Sequence, residues 1–135
     1  MDERVRYINI RIISPAEFHE KEIWFIVANA VKHLFGNIGA ADVGLFLSFF
    51  DQKNQGGIFR SSHRYVHRVK ASLCFIHFQK NIPLFLYSET VTGSIKKAKA
   101  LLMNSKHIKR YHTLKNNLYV NRESNFSDEK LLDRI

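Results

Sequence analysis

The sequence predicts an α+β fold built around one four-stranded antiparallel sheet. Three observations predict it: four segments have the alternation or density of apolar residues that is typical of strands, amphipathic segments separate them, and turn-forming residues join the second and third strands. The chain has 135 residues, 45% of them apolar, which is enough for one domain with its own core. We expect that domain over residues 1–104 and a basic extension over residues 105–135, partly helical and then frayed.

The first strand and the first helix have the clearest local signals. Residues 6–13 alternate isoleucine with polar or aromatic residues, which predicts a strand with one apolar face. Residues 14–17, Ser-Pro-Ala-Glu, supply an N-cap, a first-turn proline and an acid, the signature of a helix start. We expect this helix to end at Gly36 and Gly39.

The remaining elements follow in the order strand, strand, helix, strand, helix. A dense apolar segment followed by residues rich in Asp, Asn, Gln and Gly predicts a buried strand and a hairpin. We expect the single cysteine, Cys74, in the core because its neighbours are apolar. The predicted bounds are 43–50 and 57–61 for the hairpin strands, 62 to about 76 for the second helix, 82–91 for the fourth strand and 94 to about 104 for the third helix.

This element order, β-α-β-β-α-β-α, is typical of a ferredoxin-like (RRM-like) sandwich, in which helices cover one face of the sheet. We expect the other face to stay open, lined by Tyr7, Asn9 and Arg11 of the first strand. Similar sheets bind RNA through aromatic and basic side chains, but others bind proteins or small molecules. The fold alone therefore leaves the ligand open.

Charge narrows the choice of ligand. The formal net charge of +9, from 21 Lys and Arg against 12 Asp and Glu, predicts an anionic partner, most often nucleic acid. Residues 1–67 hold 8 basic and 7 acidic side chains, a net of +1, whereas residues 68–135 hold 13 and 5, a net of +8. The second half of the chain is therefore expected to bind the anion.

The start of the third predicted helix is unusually basic. Residues 91–101 end a strand, turn on Gly93 and open a helix that carries Lys96, Lys97 and Lys99. Cations in a first helical turn are disfavoured by the helix dipole by roughly 0.3–1 kcal/mol each. An external polyanion would gain the dipole, the unpaired N–H groups and the ammonium groups together. The pattern favours a phosphate site, and a solvated lysine-rich helix face is the alternative.

Few residues have the spacing of a catalytic or metal site. His63 and His67 are four apart on a predicted helix, but no third ligand follows at a recognisable spacing. With Arg64 and Arg68 beside them, we expect a polar surface that faces RNA or solvent. A single cysteine excludes an internal disulfide and a cysteine-based zinc cluster, and no Walker-type loop or dinucleotide fingerprint is present. The sequence predicts a binding protein without a metal or cofactor of its own.

Four short motifs, in order along residues 4–104, match a known family. Arg6-Tyr7 opens the first strand, and the segment Leu-Phe-Gly-Asn-Ile-Gly-Ala-Ala at 34–41 ends a helix in a glycine-containing turn. Gly57, Ile58 and Arg60 match Gly-Ile-x-Arg, and residues 91–97 match Val-Ser-Gly-Thr-Ile-Lys-Lys with Ser and Thr exchanged. With these motifs the chain resembles the Pop5 family, a protein subunit of archaeal and eukaryotic ribonuclease P. It lacks the proline-containing basic lead-in of archaeal members. It also lacks the long acidic tail of some eukaryotic members, and this second difference favours an archaeal source.

The resemblance implies a subunit of the ribonucleoprotein that removes the 5′ leader from precursor tRNA. In it the RNA supplies the active site and holds the Mg²⁺ ions, and the protein is not catalytic alone. The implied partners are ribonuclease P RNA, precursor tRNA and an Rpp30-like TIM-barrel subunit, with a homodimer or a dimer of such pairs. We expect a cytoplasmic location for an archaeal protein, nuclear or nucleolar for a eukaryotic one, and no membrane partner, since no apolar run approaches the roughly 20 residues of a span.

The charge pattern and the resemblance together predict RNA contacts on the first strand, the hairpin and the third helix start. Trp24 and Phe25 are expected either at a protein interface or in the core. An alternative from another class is a ferredoxin-like protein-assembly or small-molecule-sensing module without RNA. A free-standing nuclease is disfavoured because carboxylates that could hold two metal ions are not clustered. The expected RNA-contacting residues are Arg6, Tyr7, Arg11, Arg60, Gly93, Ser94, Lys96, Lys97 and Lys99.

Overall fold

The computed structural model describes residues 4–103, which form one four-stranded antiparallel sheet, a two-stranded hairpin and three α-helices. The elements are β1 (Val5–Ile13), α1 (Glu20–Val43), β2 (Phe46–Asp51), β3 (Gly56–Ser62), α2 (Val66–Cys74), β4 (Phe78–Gln79), β5 (Ile82–Pro83), β6 (Phe85–Thr92) and α3 (Ile95–Leu102). The strand order in the sheet is β2-β3-β1-β6, which confirms the predicted fold class and element order. The predicted extension over residues 105–135 lies outside the described residues.

The main core lies between the sheet and the pair α1 and α2. Ile8, Ile10 and Ile12 of β1 point into it, as their alternation predicts, and each is at most 1% exposed. Burying such a side chain contributes roughly 1.5–3 kcal/mol. Other buried members of this core include Phe18, Ile23, Val27, Val31, Leu47, Phe59, Val69, Leu73, Leu84 and Leu86.

The start of α1 differs from the prediction. Ser14 does not cap the helix, because its hydroxyl is buried and donates to the Pro83 carbonyl at 2.7 Å. The helix begins at Glu20, after His19, whose backbone N–H donates to the Glu22 carboxylate at 3.3 Å. The intervening segment is held by Gln55, whose side chain bonds to both the N–H and the carbonyl of Phe18.

Gly36 interrupts α1 but does not end it. Its backbone (φ 73°, ψ 175°) lies in a region that is open essentially to glycine alone, so the helix kinks there. The helix then resumes and continues to Val43, and Gly44 terminates it in the left-handed conformation (φ 60°). The prediction that the helix ends at Gly36 and Gly39 is therefore wrong, although Gly36 interrupts the helix.

The segment predicted as one strand over residues 82–91 is divided. Left-handed backbone at Lys80 and Asn81 (φ 50° and 69°) turns the chain between β4 and β5. Leu84 then enters the core, and its N–H donates to the His77 carbonyl at 2.9 Å. The strand that pairs with β1 begins only after this residue.

The start and end of α2 also correct two expectations. Ser62 ends β3 instead of capping the helix, and a 3₁₀ turn at His63–Tyr65 precedes α2. Cys74 is exposed at the end of α2, because the buried stripe of this helix runs through Val69 and Leu73 instead.

The third helix lies on the opposite face of the sheet from α1 and α2, so the expectation that all helices share one face is wrong. Ile58 of β3 forms a second, smaller buried cluster with Ala98 and Leu102 of α3, and Tyr7 and Phe49 pack against it. The face expected to be open is therefore partly covered. We call this side of the sheet the α3 face and the other side the α1/α2 face. Within residues 4–103 no helix is long and apolar enough to cross a membrane.

Candidate nucleic-acid interface

A row of four side chains crosses the sheet at the end where β1 begins and where β3 and β6 end. Tyr7 of β1 is paired with Arg60 of β3 and with Thr92 of β6, and Arg60 is paired on its other side with Phe46 of β2. Directly paired residues project from the same face, with Cβ atoms about 4.5–5.5 Å apart. The row lies on the α3 face, because Phe59, the residue before Arg60, points into the main core.

The start of α3 follows directly from this row. Thr92 donates its hydroxyl to the Ser94 carbonyl at 3.0 Å, and Ser94 caps α3 by accepting from the Lys97 N–H at 3.5 Å. The first intrahelical bond runs from the Ala98 N–H to the Ser94 carbonyl at 3.0 Å. The N–H groups at the helix start therefore point toward the end of the sheet, where they are available for an anion.

Arg6 and Gly93 lie close together at this end of the sheet. Arg6 leaves β1 on the α1/α2 face, and its guanidinium turns back to donate to the Val5 carbonyl at 3.0 Å. A Cβ on Gly93 would lie 3.3 Å from the Arg6 Nη1 atom. The glycine thus leaves room for the Arg6 guanidinium beside the start of α3.

The lysines of α3 are exposed and have no acidic neighbour in the first turn of the helix. The Lys99 ammonium lies over the Phe49 ring, 5.2 Å from its centroid, a favourable cation–π arrangement. We call Arg6, Arg60, Lys96, Lys97 and Lys99 the basic surface. None of these five cations forms an ion pair with another residue of the range 4–103.

Arg11 lies elsewhere, contrary to the expectation that it lines an open face. It is fully buried, and its Nε atom is 3.1 Å from the Glu89 carboxylate. Its two Nη atoms donate to the carbonyls of Asn54, at 3.1 Å, and Leu102, at 3.0 Å. Because the guanidinium has no exposed surface, it cannot reach a phosphate in this structure. The alternation of β1 predicts the face of Arg11 correctly but does not reveal that α3 covers it.

The other predicted RNA contacts come together. Tyr7, Gly93 and Ser94 lie with the basic surface at one end of the sheet, and that they bind RNA stays a prediction. Phe46 is the member of this site that sequence reasoning missed. Its segment was predicted to be buried, yet 60% of its side chain is exposed. Phe46 is the first residue of β2, and β2 is an edge strand, a position where a side chain is less covered by its neighbours.

The basic residues before and within α2 have separate roles. Arg68 packs between Phe35 and Tyr65, with its Cζ atom 5.3 and 4.3 Å from the ring centroids, and donates to the Gly39 carbonyl at 3.1 Å. It therefore holds α2 to α1. His63, Arg64 and His67 are exposed beside it. Within residues 4–103 no three His, Cys, Asp or Glu side chains come together as a metal site would need.

A groove lies beside the kink of α1. Its volume is about 590 Å³, and its lining includes Trp24, Phe25, Ala28, Ala40 and Leu45. Trp24 packs against the main core, whereas 65% of Phe25 is exposed. Trp24 and Phe25 were expected either in the core or at a protein interface. Trp24 belongs to the core, and Phe25 is available to a partner.

Comparison with known proteins gives consistent matches. The model of the Rpp14/Pop5 family matches residues 6–103. The chain is 31% identical to ribonuclease P protein component 2 of Methanocaldococcus jannaschii over 84% of this chain and 83% of that protein. It is 30% identical to the protein of the same name from Pyrococcus furiosus over 72% and 81%. A chain in the cryo-EM structure of yeast ribonuclease MRP has the same fold, with a TM-score of 0.59 at 14% identity, covering 84% of this chain and 95% of that one.

Proposed function

Because the chain belongs to the Rpp14/Pop5 family, we propose that it is a protein subunit of ribonuclease P. In this role it binds and orders the catalytic RNA, which removes the 5′ leader from precursor tRNA. The observation that carries the proposal is the basic surface, in which five cations without a described ion-pair partner surround the start of α3. The two relatives named above are both called ribonuclease P protein component 2.

The geometry of the basic surface supports RNA binding in the following way. Phosphate oxygens at the start of α3 would accept from its N–H groups and lie near the ammonium groups of Lys96 and Lys97. Arg60 can bind a second phosphate through two parallel hydrogen bonds. Each phosphate that the protein neutralises releases counterions, so binding is strong at low salt and weakens steeply as salt rises. The rigid sheet places these cations before the RNA arrives.

In this proposal the RNA carries the reacting groups and holds the Mg²⁺ ions of the reaction. The contribution of the protein is to neutralise phosphates that would repel one another when the RNA folds around its substrate. Less Mg²⁺ is then needed to reach the active RNA structure. The protein alone is proposed to have no cleaving activity.

The groove beside the α1 kink is the surface that we assign to a protein partner, an Rpp30-like TIM-barrel subunit. Phe25 and Ile38 are 65% and 82% exposed there or next to it, and aromatic anchors are enriched at protein interfaces. The groove is lined mainly by α1, whereas the basic surface is formed by β1, β3 and the start of α3. We therefore propose that the partner and the RNA can bind at the same time. A dimer of such pairs is a further proposed assembly.

The proposal is tested by reconstitution. The chain alone, the cognate RNA alone and the two together with the partner subunit are assayed on precursor tRNA over a range of Mg²⁺ concentrations. We expect no cleavage by the chain alone and a lower Mg²⁺ requirement for the complete particle. Metal-dependent cleavage by RNA-free protein, or an unchanged Mg²⁺ requirement, would contradict the proposal.

A second experiment separates this function from a protein-assembly or sensing module. The tagged chain is purified from its source cells, and the co-purifying RNA is sequenced. Enrichment of ribonuclease P RNA supports the proposal. Recovery of proteins without RNA would favour the alternative.

A further inference from the structure

Phe46 stands out because it is an exposed aromatic ring among charged groups. It lies at the start of β2, an edge strand of the sheet, and 60% of its side chain is exposed. Phe49, on the same strand and face, is covered by α3 and the Lys99 side chain. The ring of Phe46 has no such cover. A phenyl ring left in water gains nothing from burial, and the exposed face of Phe46 is therefore accessible to a ligand.

The neighbours of Phe46 indicate what that ligand is. Phe46 is paired directly with Arg60, and Arg60 with Tyr7, so a flat apolar ring, a guanidinium and a phenol stand side by side across three strands. The lysines of the α3 start lie at the same end of the sheet. A surface with this much unpaired positive charge favours an anionic occupant over an apolar protein segment.

A nucleotide with an unpaired base combines the two properties that this row can recognise. Its base offers a flat π-face to an aromatic ring, and its phosphate offers oxygens to a guanidinium. In a duplex the base faces are already stacked on one another, so a duplex can use only the cations. We propose that Phe46 is a stacking platform for an unpaired base of the RNA, with the adjoining phosphate on Arg60. The inference rests on the proposed RNA-binding function and names the kind of RNA that this part of the surface takes.

The test compares two probes on the full chain, a short oligouridine strand and an RNA duplex of equal length. Phe46→Ala should weaken binding of the single strand by roughly five- to 150-fold, the range found for loss of one base–aromatic stack, and leave duplex binding unchanged. Phe46→Trp should restore single-strand binding, whereas Phe46→Leu should behave like the alanine variant. Phe78→Ala removes another exposed ring, 69% exposed, and serves as the matched control without effect on either probe.

Each other outcome overturns the inference. Loss of affinity for both probes to the same extent, or for neither, means that Phe46 does not stack on a base. Unchanged single-strand binding by Phe46→Leu would mean that an apolar side chain of this size is sufficient for binding, so that no ring stacks on a base. The variant Lys96→Ala/Lys97→Ala is measured in parallel to separate the two levels of the proposal. If it weakens both probes while Phe46→Ala weakens neither, the stacking platform is wrong and the RNA surface stands. If neither variant has an effect, or the wild-type chain binds neither probe, the proposed RNA surface is wrong as well.

Discussion

The two faces of the sheet are built from different chemistry. The α1/α2 face buries Ile8, Ile10 and Ile12 of β1 together with side chains of two helices in one large apolar cluster. On the α3 face the buried apolar cluster of the described residues 4–103 consists of Ile58, Ala98 and Leu102, and Asn9 and Arg11 are buried next to it. The first face supplies most of the folding free energy, and the second holds one short helix in a defined place.

The α3 face compensates for its small apolar area with directed hydrogen bonds. α3 has 8 residues, and isolated helices shorter than about 12–15 residues are marginal in water. The Asn9 amide donates to the Ala98 carbonyl at 2.9 Å, and Arg11 donates to the Leu102 carbonyl at 3.0 Å. Both side chains come from β1, so the central strand holds α3. The position of the lysines at the α3 start therefore depends on Asn9 and Arg11, two polar side chains that are fully buried.

The largest effect is expected on the α1/α2 face. Phe59 is fully buried there, and Phe59→Ala should lower the free energy of unfolding by about 3–5 kcal/mol through lost burial and a cavity. Phe85→Ala, at an exposed ring, is the control and should change it by less than about 0.5 kcal/mol. Urea denaturation measures both. Equal effects of the two substitutions would remove the distinction between core and surface on which the comparison rests.

Arg11→Met tests the α3 face, and a cost of about 3–5 kcal/mol is expected because the Glu89 carboxylate, 3% exposed, loses its guanidinium. The double variant Arg11→Met/Glu89→Gln removes both charges and should recover most of that loss, as measured by urea denaturation. Amide hydrogen exchange should show that α3 opens more readily in both variants than in the wild-type chain. Unchanged protection of α3 in the single variant would show that Arg11 does not hold this helix.

Gly56 and Gly57 are neighbours in β3 and face opposite sides of the sheet, so alanine substitutions there compare the two faces. A Cβ on Gly56 would lie 2.6 Å from Arg11 Nη1 and 3.1 Å from Leu102 Cδ1, whereas a Cβ on Gly57 would meet Phe50 and Leu47 side chains at 3.3 and 3.4 Å. Arg11 is held by hydrogen bonds to Glu89, Asn54 and Leu102, which moving it aside would break. Gly56→Ala should therefore cost about 1–3 kcal/mol and Gly57→Ala less. Thermal melts of the two variants measure this difference. A larger loss of stability in Gly57→Ala than in Gly56→Ala would contradict the account.

The smallest effect is expected at Thr90. Its hydroxyl is buried, and no hydrogen-bond partner for it is found among residues 4–103. Thr90→Val should raise the free energy of unfolding by about 0.5–1 kcal/mol, since a buried unsatisfied group is removed. Thr92→Val, two residues on, should instead lower it by about 0.5–1.5 kcal/mol, because the Thr92 hydroxyl donates to the Ser94 carbonyl at 3.0 Å. A loss of stability in Thr90→Val would show that its hydroxyl has a partner.

The apolar face was predictable from the sequence and the polar face was not. Alternation in β1 identifies Ile8, Ile10 and Ile12 as residues that enter the core. The predicted start of the third helix at residue 94 lies one residue before the first helical residue, Ile95. The same alternation groups Arg11 with Tyr7, but one is buried and the other half-buried, because the path of α3 over the sheet is a tertiary feature. The prediction that Ser14 caps the first helix failed for a similar reason, since its hydroxyl donates to the carbonyl of Pro83, far along the chain. Local patterns show which way a side chain points, and they do not show what lies above it.

The salt dependence of RNA binding tests the central claim most directly, namely that the start of α3 holds RNA phosphates. Binding of ribonuclease P RNA is titrated at several salt concentrations with the wild-type chain and with Lys96→Ala/Lys97→Ala. The control is Lys21→Ala/Lys53→Ala, which removes two exposed lysines near the opposite end of the sheet. We expect Lys96→Ala/Lys97→Ala to bind more weakly, with a slope of log affinity against log salt shallower by roughly 0.7–0.9 per lysine. Its melting temperature should be unchanged or slightly higher, since the helix dipole disfavours these cations. A slope and an affinity equal to those of the control would show that the α3 lysines form only a solvated helix face.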